Sequence, residues 1–318
     1  MTAVVRAALV GAGAIAPFHI QALRHAGFEL SGIAASRGSQ RVSSFARTHH
    51  INDVWDDPEE LIKSNTWDAL VIASSTDSIP ELLKVALQQE KPVLVEKPIA
   101  FDGAVIRRFA PHQENVRVAY NRRFYQSSIE ARQLAAAGTC MFRLELPDSV
   151  DPGGGELDGL RSVRENSVHG LDLLQYVVGP YRIVERLSVH DPRGRVALAL
   201  SEGGHIGSIH LNWNCPANFS LVLDRAPRRF ELRPFEMGSM YEGMEVIEPS
   251  VEFPVRRYVP KVINQVSSFP GPDGVKPGFL EQARSLMQRV QTGEWDARTA
   301  TLEDAAFAAD TAKLLAQE

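Results

Sequence analysis

Glycine spacing near the start of the chain supplies the first piece of chemistry. Gly11-Ala12-Gly13-Ala14-Ile15-Ala16 fits the pattern G-x-G-x-x-A, after an apolar run and at the opening of a helical one. Gly11 permits a tight turn there, and Gly13 lets the backbone approach a pyrophosphate. Ala16 keeps the helix close to the sheet, while the N–H groups around Ala14 and Ile15 receive phosphate oxygens. The residue that sorts nicotinamide dinucleotides lies about 20 positions further on, where an acidic side chain accepts the ribose 2′-hydroxyl of NAD. Here the chain has Ala34-Ala35-Ser36-Arg37, with Ser39 and Arg41 close behind. A hydroxyl beside a guanidinium suits a 2′-phosphate, through a bidentate, charge-assisted pair and stacking on adenine. The plainer alternative for Arg37 is an exposed loop arginine. The expected cofactor is NADP(H) in preference to NAD(H).

Three more groups of polar residues stand at expected strand and helix ends. They are Glu96-Lys97-Pro98, Tyr120-Asn121-Arg122-Arg123-Phe124, and Glu165-Asn166-Ser167-Val168-His169 with Asp172 one turn later. Together with the glycine loop they resemble the glucose–fructose oxidoreductase/inositol dehydrogenase/rhizopine-catabolism (Gfo/Idh/MocA) family, by motif as far as Gly179. The resemblance implies a Rossmann domain followed by an open-faced antiparallel sheet, with the active site in the cleft between them. It implies hydride transfer between a nicotinamide and a hydroxyl-bearing carbon, usually on a sugar or cyclitol. By the same resemblance Lys97 lies beside the reacting oxygen, in a cis Lys-Pro peptide, and His169 is the general acid/base. Hydride transfer must be coupled to proton transfer, so a group titrating near neutrality suits the second role. A lysine beside the ring stabilises developing alkoxide charge. A surface lysine before proline and a structurally satisfied helix histidine are the plainer alternatives.

The remaining expectations follow position. Ser74, Ser75, Glu96 and Lys97 join the cofactor contacts, and Asn121 meets the carboxamide or substrate hydroxyls beside Tyr120. Arg123 reads as an anchoring ion pair. Arg161 or Arg164, from the polar loop Asp148–Arg164, faces anionic groups of a substrate. Asp172 orients His169, binds a substrate hydroxyl or is a solvated helix carboxylate. His19 is structural or near the pyrophosphate, without a catalytic role. The chain also departs from the family pattern: Glu165 replaces an aspartate, Ser167 a glycine and Pro80 a histidine. Glu165 retains the carboxylate and either orients His169 or pairs with Lys97, which places it with the catalytic candidates.

The elements that must position these residues alternate in the first part of the chain. Short β-branched runs and amphipathic patterns predict strands at Ala3–Val10, Phe28–Ala35, Val54-Trp55, Ala69–Ala73, Val93–Val95 and Val116–Ala119. Helices are expected between them, at Ala14–His25, Gln40–His49, Glu59–Asn65 and Ile79–Gln89. After a helix at Phe124–Ala137 come a Gly/Asp/Pro loop at Asp148–Gly159 and a helix at Ser167–Val178. From Tyr181 to about Pro260, alternation between turn signals such as Pro192-Arg193-Gly194 reads as an antiparallel sheet with one solvated face. Two helices close the chain near Phe279–Gln291 and Leu302–Ala316. The expected fold is α/β: a Rossmann parallel-sheet domain over residues 1–120, then an α+β domain with an open-faced, mainly antiparallel sheet over 121–318. The last helices are free to pack back on the first domain.

Composition narrows the partners. The 318 residues are 44% hydrophobic and 23% charged with a net charge of −5, which suggests neither a nucleic-acid footprint nor a basic membrane face. No apolar run is long enough to span a bilayer, and Arg6 interrupts the only N-terminal apolar stretch. Two cysteines, Cys140 and Cys215, without metal-ligand spacing read as reduced thiols of a cytoplasmic protein that has no metal site. The expected partner is a small carbohydrate-type substrate, and the resemblance implies a homodimer or homotetramer packed through the open sheet face. The rival expectation is a non-catalytic NADP-sensing regulatory protein of the same fold.

Overall fold

The structure is a computed structural model that describes residues 4–149, 161–190 and 193–317. Ala3, most of the loop expected at Asp148–Gly159 and Pro192 of the expected turn lie outside the described residues. Contacts divide the chain into two units, one reaching Phe124 and resuming over Pro270–Leu314, the other holding Tyr125–Phe269 and the residues from Leu315 onward. A single cut after Tyr120 therefore differs from the division of contacts.

The first unit is built on six parallel strands: β1 (Arg6–Val10), β2 (Glu29–Ala34), β3 (Val54–Trp55), β4 (Ala69–Ile72), β5 (Val93–Val95) and β6 (Val116–Val118). Their order is β3-β2-β1-β4-β5-β6, so the chain reverses direction across the sheet between β1 and β4, and a crevice forms beyond their C-terminal ends. β4 and β5 are buried at every position, as continuous apolar runs covered on both faces must be. The helices α1 (Ala16–His25), α2 (Arg41–Thr48), α3 (Pro58–Lys63), α4 (Ile79–Leu87) and α5 (Gly103–Arg107) join them. α3 starts where Asp57 accepts the Glu59 N–H at 2.9 Å, with Pro58 pre-set for the first turn.

The second unit carries α6 (Gln126–Ala136), β7 (Met141–Leu146), α7 (Val168–Val178), β8 (Tyr181–His190), β9 (Arg193–Ser201) and β10 (Ile206–Asn212). It continues with β11 (Ser220–Arg225), β12 (Arg228–Leu232), β13 (Met237–Ile247) and β14 (Arg257–Ser267). The eight strands run β14-β13-β12-β11-β7-β10-β9-β8 and pair antiparallel except for β7 with β10. The sheet extends past Pro260 to Ser267, and its inner strand β7 was not foreseen. Met-Phe-Arg-Leu-Glu-Leu does alternate, burying Phe142, Leu144 and Leu146 and exposing Met141 and Arg143. Its signal is a period of two in a run too short to stand out between a helix and a loop.

The last two helices are α8 (Phe279–Thr292) and α9 (Leu302–Ala316). In the first unit α8 buries Phe279, Leu280, Ala283 and Leu286 in the core that holds Ala16, Ile20 and Leu23 of α1. Gly278 sets its start. Its φ is +80°, and a Cβ there would stand 2.1 Å from the Asn121 carbonyl oxygen, so only glycine lets α8 approach the end of β6.

Candidate active site

At the end of β1 the Gly11 N–H donates to Ala34 O at 2.8 Å, bending the chain between β2 and β4. Gly11 has φ +120°, and a Cβ there would lie 2.0 Å from Ala73 O. A Cβ on Gly13 would meet nothing within 4 Å, so this stretch opens onto free space at the start of α1. Ala14 is exposed and Ile15 half-buried at the same helix start, while Ala16 is fully buried against the sheet. Backbone N–H groups at a helix N-terminus facing open space favour an anion.

The space continues as a cavity of about 680 Å³. Gly11, Gly13 and Ile15 line one part of it, and Ser36, Ser39, Arg41, Ser74 and Ser75 line others. The hydroxyls of Ser74 and Ser75 lie 2.8 and 2.9 Å from that of Ser78. Ser78 and Glu81 also line the cavity and were missed in the sequence, although they follow Ser75 at successive intervals of three residues, about one helical turn each. Glycines with room for a pyrophosphate, hydroxyls and a guanidinium lining one space fit a dinucleotide. Arg37 does not line the cavity. It pairs instead with Asp57, Nη2 to Oδ2 at 2.5 Å, and the hydrogen bond from Arg37 holds the Asp57 carboxyl below its ordinary value.

Beyond β5, the Glu96 N–H donates to Ile72 O at 2.8 Å, which fixes the first residue of Glu96-Lys97-Pro98 to the end of β4. Lys97 is half-buried and joined to Pro98 by a cis peptide bond. Glu96 does not line the cavity; it is buried, with Oε1 2.8 Å from His19 Nε2 on α1 and Oε2 accepting the Lys97 N–H at 3.2 Å.

Tyr120 and Asn121 are buried after β6. The Gln282 carboxamide oxygen on α8 accepts both of their backbone N–H groups, at 3.1 and 3.0 Å, and Asn121 Nδ2 donates to Pro277 O at 3.0 Å. Arg123 forms an anchoring ion pair with Asp304 of α9, in which both guanidinium nitrogens lie 3.2 Å from a carboxylate oxygen.

In the second unit a wide turn over Val163–Ser167 feeds α7. Asp148 holds it, accepting Asn166 Nδ2 at 2.9 Å and the Ser167 hydroxyl at 3.0 Å. Asp148 had no place among the expected site residues, because its partners lie 18 and 19 residues away. Ser167 is thus a buried hydrogen-bond donor at the position where the family pattern has glycine. Glu165 accepts from Arg161 Nε at 2.7 Å. Arg164 and His169 are half-buried, and Asp172 is fully buried, so it is not a solvated carboxylate. Next to His169, a Cβ on Gly170 would lie 2.4 Å from Leu146 Cδ2, so α7 sits directly on β7.

Among the described residues no three His, Cys, Asp or Glu side chains gather as metal ligands, and no helix is long and apolar enough to cross a membrane. Residues 5–120 match a family model described as an oxidoreductase family with an NAD-binding Rossmann fold. The oxidoreductase YrbE of Bacillus subtilis (strain 168) is 25% identical over 189 residues, 56% of this chain and 55% of that protein. The myo-inositol 2-dehydrogenase of Thermotoga maritima is 24% identical over 186 residues, 55% of each chain. The match thus spans about half the length of these relatives. A levoglucosan dehydrogenase solved with NADH and L-sorbose shares the fold, with a TM-score of 0.76 at 14% identity over 98% of this chain and 95% of its own.

Proposed function

We propose that the protein moves hydride between NADP(H) and a hydroxyl-bearing or carbonyl carbon, on the ground that residues 5–120 match the Gfo/Idh/MocA oxidoreductase family model with its NAD-binding Rossmann fold. The substrate class in this reading is a sugar, sugar derivative or nucleotide sugar. The observation that carries it is the glycine-lined cavity at the end of β1. When bound, the nicotinamide donates or accepts the hydride. Gly11, Gly13, Ala14 and Ile15 hold the pyrophosphate; Ser74 and Ser75 contact the cofactor from the end of β4. The preference for the 2′-phosphate is assigned to Ser36 and Arg41, which line the cavity, and to Arg37 once it leaves Asp57.

Lys97 donates a hydrogen bond to the substrate oxygen and stabilises the negative charge that develops there as the hydroxyl proton leaves or as hydride adds to the carbonyl. His169 takes the hydroxyl proton during oxidation and returns it during reduction. Arg164 is assigned to the substrate. Tyr120, Asn121 and Asp172 are buried and are assigned to fixing the backbone that carries the reacting groups. The inositol dehydrogenase relative supports a polyhydroxylated substrate. Two unpaired cysteines support work in the cytoplasm. Self-association is assigned to the open face of the second sheet. Register places Met141, Ile206 and Leu198 on that face with Leu187, all of them exposed.

A non-catalytic NADP-sensing module is the second reading, favoured by the engagement of Glu165 by Arg161. Two measurements test the proposal. Titration with NADPH and NADH gives tighter NADPH binding, with the ratio reduced in Arg37→Ala and Arg41→Ala; tighter NADH binding removes the 2′-phosphate assignment. A screen of sugars, cyclitols and sugar nucleotides with either cofactor gives turnover, whereas tight NADPH binding with no turnover supports the sensor.

A further inference from the structure

The Glu96 carboxyl group is held from two directions. His19 Nε2 lies 2.8 Å from one oxygen, and the backbone N–H of Lys97 donates to the other at 3.2 Å. Both side chains are buried, at 3% and 10% exposure, so water cannot substitute for either partner. The histidine ring is itself fixed. It sits in the first turn of α1, the helix opened by Gly11 and Gly13, and the Phe279 ring meets it edge-on with centroids 5.0 Å apart. Two bonds at roughly opposite ends of one carboxyl group leave it little freedom to rotate. The backbone of Lys97 is thereby tied through Glu96 to the helix at which the cofactor phosphates are proposed to bind.

We infer that His19 is a positioning residue: through Glu96 it holds the Lys97 peptide in register with the dinucleotide loop. The inference rests on the reading of Lys97 as the residue beside the reacting oxygen. It goes beyond that reading in giving His19 a function in the reaction and Glu96 a function other than cofactor contact. Placement is what such a group supplies, since a reacting group displaced by about 1 Å loses on the order of 100-fold in rate.

Two substitutions of similar polarity separate positioning from packing. In His19→Gln the side-chain amide nitrogen reaches the place of Nε2 and still donates to Glu96. In His19→Asn the amide ends at the place of Nδ1 and falls short. Two readouts are taken on the full chain: kcat and KM with NADP+ on whichever hydroxylated substrate the parent oxidises, and, with NADPH present, the rate of modification of the Lys97 amine by an amine-reactive reagent, followed by peptide mass spectrometry with Lys91 as internal reference.

The expected result is a fall in kcat of about 10- to 100-fold in His19→Asn, with KM and NADPH affinity within about threefold of the parent. The Lys97 modification rate shifts in the same variant, and His19→Gln restores both quantities. Unchanged kcat and Lys97 reactivity in His19→Asn overturn the inference. A loss of NADPH affinity and thermal stability with Lys97 reactivity unmoved also overturns it, because the histidine then only packs. Should His19→Asn fail to fold, Glu96→Gln is read by the same modification rate, and an unmoved rate is again contradictory. If the parent turns over no substrate, the functional proposal fails by itself and the modification rates still decide the role of His19.

Discussion

A methyl group at Gly11 would stand 2.0 Å from the Ala73 carbonyl oxygen, on a backbone with φ +120°. Either fact alone disfavours any other residue. Gly11→Ala is expected to cost about 1–3 kcal/mol of stability through backbone strain and to abolish NADPH binding; a thermal melt and a binding titration check the two effects. The cysteines give a second residue-scale prediction. Burial pushes the Cys140 thiol up to about 11, and His205 Nδ1 lies 3.1 Å from its sulfur, while Cys215 is exposed. Iodoacetamide at mildly alkaline pH is expected to label Cys215 and spare Cys140 until the chain unfolds. Rapid labelling of native Cys140 contradicts this. The tight turn at Gly11 was legible in the sequence, since a glycine directly after a strand permits the φ of +120° that the backbone adopts there. The engagement of Arg37 by Asp57 was not legible, because the two lie 20 positions apart on separate turns and nothing local pairs them.

Elements are held to the site by ion pairs and close packing that sequence patterns do not reveal. Burial by itself would raise the Asp304 carboxyl, but the Arg123 guanidinium and the Thr301 N–H and hydroxyl more than offset that and hold it below the ordinary carboxylate value. A carboxyl lowered in the native state contributes stability that is complete above its unfolded pKa, about 4, and is lost as pH falls through the native value. Asp304→Asn is therefore expected to lower the unfolding free energy by about 3 kcal/mol at neutral pH, because Arg123 stays buried without its partner charge. The gap between parent and variant should close in acid below about pH 4. Chemical denaturation across pH measures it, and a gap that does not change with pH contradicts the assignment. In the second unit, Gly170→Ala places its Cβ 2.4 Å from Leu146 Cδ2. That change is expected to cost about 1–3 kcal/mol through overpacking and to disturb the adjacent His169. The sequence motif displayed His169, but the need for Gly170 depends on β7, a strand that six residues of alternation did not announce. Asp148 was hidden for a related reason: it anchors the turn before α7 from 18 and 19 residues away.

At the scale of the molecule, the alternation of strands and helices that builds the first, parallel sheet was the most legible feature. Alternating apolar runs and helices with short connections allow few topologies, and the structure selects the one that reverses between β1 and β4. The antiparallel sheet was legible in kind but not in membership, since pairing between distant strands such as β7 and β10 leaves no local trace. Its open face presents Met141, Leu187, Leu198 and Ile206 to solvent. Sedimentation is expected to show a dimer or tetramer, and Leu198→Glu is expected to shift it toward the monomer. A monomeric parent contradicts that assignment without touching the chemistry.

The central claim is that one chain binds the nicotinamide and uses Lys97 and His169 to move a proton as hydride moves. The most direct test is the initial rate of nicotinamide reduction with polyhydroxylated substrates for the parent, Lys97→Ala and His169→Ala, each checked for NADPH binding. The account predicts turnover by the parent and losses on the order of 100-fold or more in both variants with NADPH binding retained. Equal rates in all three proteins would contradict it.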